Sequence, residues 1–300
     1  MSEPLTLAFA LRAVEIQVTF ATLVALAAWA MTSSRKASAT TKYWIWVATS
    51  LNFVLPVGVF VDRLRPPSYE WVLPLEDLGS RVSGGWTLGA ALVAVWAMGA
   101  VLMLTRLVWR IRSDRERPAA NAPAVDGLLR PRISLPAGIE RLLTASELDA
   151  VLLHERTHAR RRDNLIRLVH EVGACAFWFH PLVWLAGSRL SLYRELSCDE
   201  SVVREKRGGE LVSALAKLAD PAETLLLQSG ASSFLSDRVA CLAAPLPASP
   251  AGNALRTVFF ALILLASILG SAFQANLMHR AGLGEFCPRL AAELAARAGK

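Results

Sequence analysis

Cysteine is scarce in this chain: Cys175, Cys198, Cys241 and Cys287 are the four in 300 residues, and they form no paired spacings. With three of them on the side expected to be reducing and Cys287 alone outside, no intramolecular disulfide framework is implied. Charge is scarce too, at 19% against 54% hydrophobic residues, which excludes an ordinary soluble domain. The amino terminus lacks a basic run, having Glu3 and Glu15 against a lone Arg12. A cleaved secretory signal is therefore not expected at Ala28-Trp29-Ala30, although the small residues there imitate a cleavage site. The net charge of +7 does not point to nucleic acid, because the basic residues gather beside apolar runs and around Arg160-Arg161-Arg162, interleaved with acids.

Several long runs have almost no charge. Four are long enough to cross a bilayer, which takes about 20 residues: residues 14–31, 43–61, 86–104 and 256–277. The second contains Pro56, which membrane helices tolerate as a kink. Orientation follows from basic residues. The loop Thr32 to Lys42 holds Arg35, Lys36 and Lys42 with no acid, and Arg106 to Arg117 follow the third run. Both segments are expected in the cytoplasm, with the amino terminus, the mixed-sign loop 62–81 and the tail 278–300 outside. On this topology residues 105–255 form one cytoplasmic domain between the third and fourth spans. Cys175, Cys198 and Cys241 then face a reducing compartment.

Histidine is rare as well, yet two of the five lie in His154-Glu155-Arg156-Thr157-His158. In a helix the two imidazoles stand one turn apart on one face and can converge on one zinc ion, while Glu155 is placed beside it as a general base. The sequence supplies the helix. Thr144-Ala145-Ser146-Glu147 reads as a capping box, and Leu148, Val151, Leu152, Leu165 and Leu168 continue an apolar face through a run to Glu171.

A catalytic zinc needs a third protein donor. Asp163 follows His158 by five residues, which on a continuous helix turns it away, and Glu171 is more than three turns from the motif. Downstream, Glu195 and Asp199 stand four apart, so one could bind metal while the other orients a ligating His; spacing leaves that choice open. Cys198 is read as a packing residue and His180 as structural. The stretch Gly127 to Pro136 reads as a short extended edge, suited either to adding a substrate peptide as a further strand or to a plain connecting hairpin. Residues 173–188, with Phe177, Trp178, Phe179 and Trp184, are too short to span and are expected to lie in the cytoplasmic leaflet or to form a buried hairpin.

Taken together, the His154 to His158 motif with Arg162-Asp163-Asn164, the Gly127 to Pro136 run, Trp178-Phe179-His180-Pro181 and Glu195-Leu196-Ser197-Cys198-Asp199 resemble the BlaR/MecR family of membrane zinc metallopeptidases. The resemblance implies a mainly α membrane protein, with four transmembrane helices and a cytoplasmic α+β gluzincin-like domain inserted between the third and fourth. It implies zinc on His154, His158 and Glu195, with Asp199 in support and Glu155 as the catalytic base. It further implies a bacterial inner-membrane protein in signal transduction that cleaves itself or a cytoplasmic BlaI/MecI-like repressor. The expected partners are that substrate, a separate sensor protein, the lipid bilayer and a second copy of the chain, with no direct nucleic-acid contact. The external tail is expected to be too short for a penicillin-binding sensor, and the one Ser-x-x-Lys, Ser33 to Lys36, falls in a cytoplasmic loop. Two other readings stand beside this one: an HtpX-like quality-control peptidase, and a non-proteolytic signalling scaffold that retains the motif.

Overall fold

The computed structural model describes residues 3–34, 37–54, 88–116, 122–218, 234–243 and 251–270. Parts of the expected second, third and fourth spans (55–61, 86–87 and 271–277), the loop 62–81 and the tail with Cys287 lie outside the described residues. Helices α1 (Glu3–Thr32), α2 (Ala39–Val54) and α3 (Leu88–Glu116) come first, then strands β1 (Ala124–Asp126) and β2 (Arg132–Ser134). There follow α4 (Ile139–Leu142), α5 (Ala145–Arg161), α6 (Asp163–Ala176), α7 (Pro181–Arg204), α8 (Gly208–Leu218), α9 (Phe234–Ala243) and α10 (Ala251–Gly270).

Among the described residues, two helices are long and apolar enough to cross a membrane: Ala91–Ser113 within α3, and α10. Leu92, Met98, Val101, Leu255 and Leu269 are exposed on them. An apolar helix that turns such residues outward needs lipid or another protein against it. Over the residues whose side chains are described, α1 shows a shorter apolar stretch, Gln17–Thr32, and α2 is described over 16 residues.

Neither α1 nor α2 stands apart from residues 105–255. Val24 and Ala28 of α1, Tyr43, Ile45, Trp46 and Val47 of α2, Ala186, Leu190 and Tyr193 of α7 and Phe260 of α10 make one buried cluster. A second core forms where α4, α5, α7, α8 and α9 meet, around Ile139, Val151, Val202, Leu211 and Leu242. Helix α7 belongs to both, so the element carrying Glu195 and Asp199 is clamped between the amino-terminal helices and the lobe holding the His motif. The third helix is tied on through the aromatic turn after α6. Trp96 Nε1 donates to the Ala176 carbonyl at 2.8 Å, Trp178 Nε1 donates to the Trp96 carbonyl at 3.2 Å, and Arg110 pairs with Glu171.

The Gly127 to Pro136 run lies in a hairpin whose two strands pair antiparallel in the register Ala124↔Ser134, Val125↔Ile133 and Asp126↔Arg132. Gly127 turns the chain at φ 88°, where a Cβ would come within 2.8 Å of the Arg130 carbonyl oxygen. Asn164 Nδ2 donates to the Val125 carbonyl at 2.6 Å, fixing the hairpin beside the start of α6.

One expectation is overturned. The run from Thr144 to Glu171 is two helices, not one, because Arg162 adopts the left-handed conformation (φ 56°, ψ 47°) and ends α5 while starting α6. Neither Gly nor Pro marks the break. For a non-glycine residue that conformation costs about 1–2 kcal/mol, and the contacts it permits at Asp163 and Asn164 offset it.

Candidate metal centre

The capping box at Thr144 starts α5. Thr144 Oγ1 accepts from the Glu147 amide at 3.3 Å, and Glu147 Oε2 accepts from the Thr144 amide at 2.7 Å. From this fixed start, three to four helical turns bring His154, Glu155 and His158 to buried positions, with the two His facing Glu195 of α7. Thr157 Oγ1, 2.9 Å from Ser201 Oγ, cross-links the two helices at the level of the motif.

The two imidazoles present their Nε2 atoms to each other at 3.1 Å. Glu195 Oε2 completes the triangle, 3.4 Å from His154 Nε2 and 3.5 Å from His158 Nε2. Three donors bound at about 2.0–2.1 Å to one tetrahedral ion stand about 3.3 Å apart. The three edges bracket that value, so this donor set fits a metal of zinc's size and preference.

Each imidazole has a carboxylate behind it, at ion-pair distance for His154 and in a hydrogen bond for His158. Asp199 Oδ1 is 3.0 Å from His154 Nδ1, and Asp163 Oδ2 is 2.7 Å from His158 Nδ1. The expectation that Asp163 turns away from the site is therefore wrong. It assumed one continuous helix; the left-handed Arg162 sets Asp163 at the start of α6 and folds its carboxylate back beneath His158. Asp163 is in turn held by Arg161 Nη2 at 2.6 Å and by the Tyr43 hydroxyl, which donates at 2.6 Å.

Asp199 has a partner that sequence reasoning missed. Arg238 of α9 donates to both of its oxygens, Nε to Oδ2 at 2.9 Å and Nη2 to Oδ1 at 2.8 Å. The same guanidinium approaches the donor triangle, with Nη2 at 3.5 Å from His154 Nε2 and Nη1 at 3.9 Å from Glu195 Oε2. The only sequence signal for it was a single cation in the otherwise apolar run Val239 to Ala243 and its preceding turn.

Electrostatics favour a cation at this centre. Burial by itself pushes His158 down, but its hydrogen bonds with Asp163, Cys198 and Glu195 prevail and hold it up to about 12. His154 is raised in the same sense by Asp199 and Glu195, against burial. Glu195 is held well below the usual carboxylate range, since the two imidazoles outweigh its burial. Surroundings that favour positive charge on the imidazoles also favour a metal cation between them.

Cys198 offers a second donor set. Its sulfur lies with His154 and His158 donor atoms within 4.8 Å of one another. That is wider than the Glu195 triangle, burial pushes the thiol up, and Sγ already takes a hydrogen bond from Arg161 Nη2 at 2.9 Å. Metal binding needs the thiolate, so Glu195 is the better third donor. His180 is away from the centre, with Nε2 at 2.9 Å from Thr22 Oγ1.

With this geometry in place, residues 116–242 match the family described as BlaR1 peptidase M56. This segment matches an M56 peptidase domain, and the chain is similar to proteins of the BlaR/MecR family. It is 24% identical over 303 aligned positions to the regulatory protein BlaR1 of Bacillus licheniformis, covering 77% of this chain and 50% of that protein. It is also 27% identical to the methicillin resistance mecR1 proteins of Staphylococcus aureus and Staphylococcus epidermidis, over 27% of this chain and 14% of theirs. The chain thus spans about half the length of BlaR1 or less of these relatives. No solved structure matches it. The matched segment contains every donor of the triangle, both supporting carboxylates and Arg238, whereas α1, α2 and most of α3 precede it.

Proposed function

We propose that this protein is a membrane-embedded zinc endopeptidase of a signalling pathway, cleaving itself or a cytoplasmic BlaI/MecI-like repressor. The observation that carries the reading is the triangle of His154 Nε2, His158 Nε2 and Glu195 Oε2, with edges of 3.1, 3.4 and 3.5 Å and a carboxylate behind each imidazole. The relatives named as regulatory and resistance proteins support the signalling part. The long apolar helices α3 and α10, with their exposed apolar residues, support membrane residence. The proposed topology places the centre on the cytoplasmic side, together with the basic loop 32–42. In keeping with this, Thr40 and Tyr43, at the end of α2 next to that loop, touch Glu200 and Asp163.

His154, His158 and Glu195 would hold the zinc, and Asp163 and Asp199 would fix the orientation of the two imidazoles. Bound zinc supplies Lewis acidity, polarising a scissile carbonyl and making a water a stronger nucleophile near neutral pH. Glu155, beside His154 on the face toward the site, takes the proton from that water and passes it to the leaving amine. Arg238 keeps a positive charge at the rim of the centre, sustained against burial by Asp199, Glu195 and Glu155. Glu155 itself is not a metal donor in this scheme.

Glu155→Gln is therefore expected to keep zinc content, membrane insertion and melting temperature, and to reduce cleavage by about 10²- to 10⁴-fold. Cleavage is followed as self-processing and as loss of a co-expressed BlaI-type repressor. Undiminished cleavage would remove Glu155 from the mechanism; abolished cleavage with normal signalling would favour a scaffold.

A further inference from the structure

The donor residues all come from α5 and α7, yet the buried network behind them extends to a helix outside the matched segment. Tyr43, in the first turns of α2, is fully buried, and its hydroxyl donates to Asp163 Oδ1 at 2.6 Å. The other oxygen of that carboxylate meets His158 Nδ1 at 2.7 Å. Arg161 closes the group, donating to Asp163 Oδ2 at 2.6 Å while its guanidinium carbon sits 4.3 Å over the Tyr43 ring. A second tether lies three residues earlier on α2. The Thr40 amide and hydroxyl both donate to Glu200 Oε2, at 2.9 and 3.0 Å, and Glu200 directly follows Asp199, the carboxylate behind His154.

We infer that Tyr43 is a positioning residue of the metal centre, acting through Asp163 on His158, so that the seating of α2 sets the geometry of the donor triangle. The inference rests on the zinc reading above. Its physical basis is that an imidazole aims its Nε2 only as well as the group on Nδ1 is fixed. Asp163 can turn about its side-chain torsions unless both oxygens are held. Arg161 and His158 share Oδ2, which leaves Tyr43 as the hydrogen-bond partner of Oδ1 among the described residues. Helix α2 is also well placed to move the network as a unit, since Tyr43, Ile45, Trp46 and Val47 form a single buried cluster with Ala186, Leu190 and Tyr193 of α7. A shift of α2 relative to α6 would release Oδ1, loosening His158 without touching a metal donor.

A Tyr that merely fills the core would show the same burial, so the control is a second buried hydroxyl on the same helix. Thr49 is fully buried and donates to the Ile45 carbonyl at 2.8 Å, with no link to Asp163. The full-length chain in detergent, as wild type, Tyr43→Phe, Thr49→Val, Asp163→Asn and His158→Ala, is titrated with zinc against a chromogenic chelator. Cobalt absorption in the visible range reports the donor geometry, and melting temperature reports the fold. Tyr43→Phe keeps the ring under Arg161, and should bind zinc about fivefold more weakly, with an altered cobalt spectrum. Asp163→Asn should lose about ten- to a hundredfold, and Thr49→Val should match the wild type in both metal readouts. Wild-type affinity and spectrum in Tyr43→Phe would overturn the inference alone, as would an equal loss in Thr49→Val. A wild-type chain that takes up no zinc, or undiminished zinc in His158→Ala, would overturn the zinc reading and this inference with it.

Discussion

Replacing Arg238 by Met tests whether α9 belongs to the centre or merely lies near it. Met has similar length and no charge, so the packing against α7 is largely kept while both hydrogen bonds to Asp199, at 2.9 and 2.8 Å, are lost. Asp199 is fully buried and Arg238 has a side-chain exposure of only 13%, so water cannot replace the lost partner well. Removing one member of a buried ion pair costs about 3–5 kcal/mol, because the other is left as an uncompensated charge. The lower end applies here, since Asp199 Oδ1 still has His154 Nδ1 at 3.0 Å. At about 2–4 °C per kcal/mol for a domain of this size, a loss of about 3 kcal/mol lowers Tm by roughly 6–12 °C. The assay is thermal unfolding of the full chain in detergent, followed by circular dichroism. Arg238→Met, Asp199→Asn and the double variant close a thermodynamic cycle in which the double variant should lose less than the two singles added together. Zinc affinity in Arg238→Met should also fall by about ten- to a hundredfold, as Asp199 loses its fixed orientation. A melting temperature within about 1 °C of wild type, or strict additivity in the cycle, would refute the claim that this pair is a buried clamp.

The remaining predictions are shorter. Glu147 is held down at about 2 by Lys217, Ser213 and the Thr144 backbone, so its folded pKa lies below the unfolded value of about 4.3. Its contribution to stability is then present above about pH 4.5 and lost as pH falls toward 2; Glu147→Gln should flatten the melting profile between those values, and superimposable profiles would refute the assignment. For topology, reporters fused after Met31 or Arg112 should be cytoplasmic and one after Arg65 external, and an external reporter at Arg112 would move the whole centre to the other side. Together with Glu155→Gln and Tyr43→Phe, these separate the chemistry, the metal, the fold and the membrane.

The sequence by itself determined the parts of this protein that depend on local periodicity. A four-residue spacing on a helix puts His154 and His158 on one face wherever that helix goes, and the box at Thr144 and Glu147 marks where it begins. The same reasoning brought Glu195 and Asp199 to one side of α7, but only the fold shows Glu195 meeting the Nε2 atoms and Asp199 meeting Nδ1. The apolar runs likewise gave α3 and α10, yet not that α1 and α2 would share a core with α7. Asp163 was missed because Arg162 breaks the helix with neither Gly nor Pro, a conformation repaid by contacts with residues far along the chain. Arg238 and Tyr43 were missed for the same kind of reason. They stand 39 and 120 residues from the carboxylates they hold, and no periodicity reaches across such distances. What tertiary structure decided is the buried charge balance: a carboxylate out of water must find its cation or hydroxyl wherever the fold brings one.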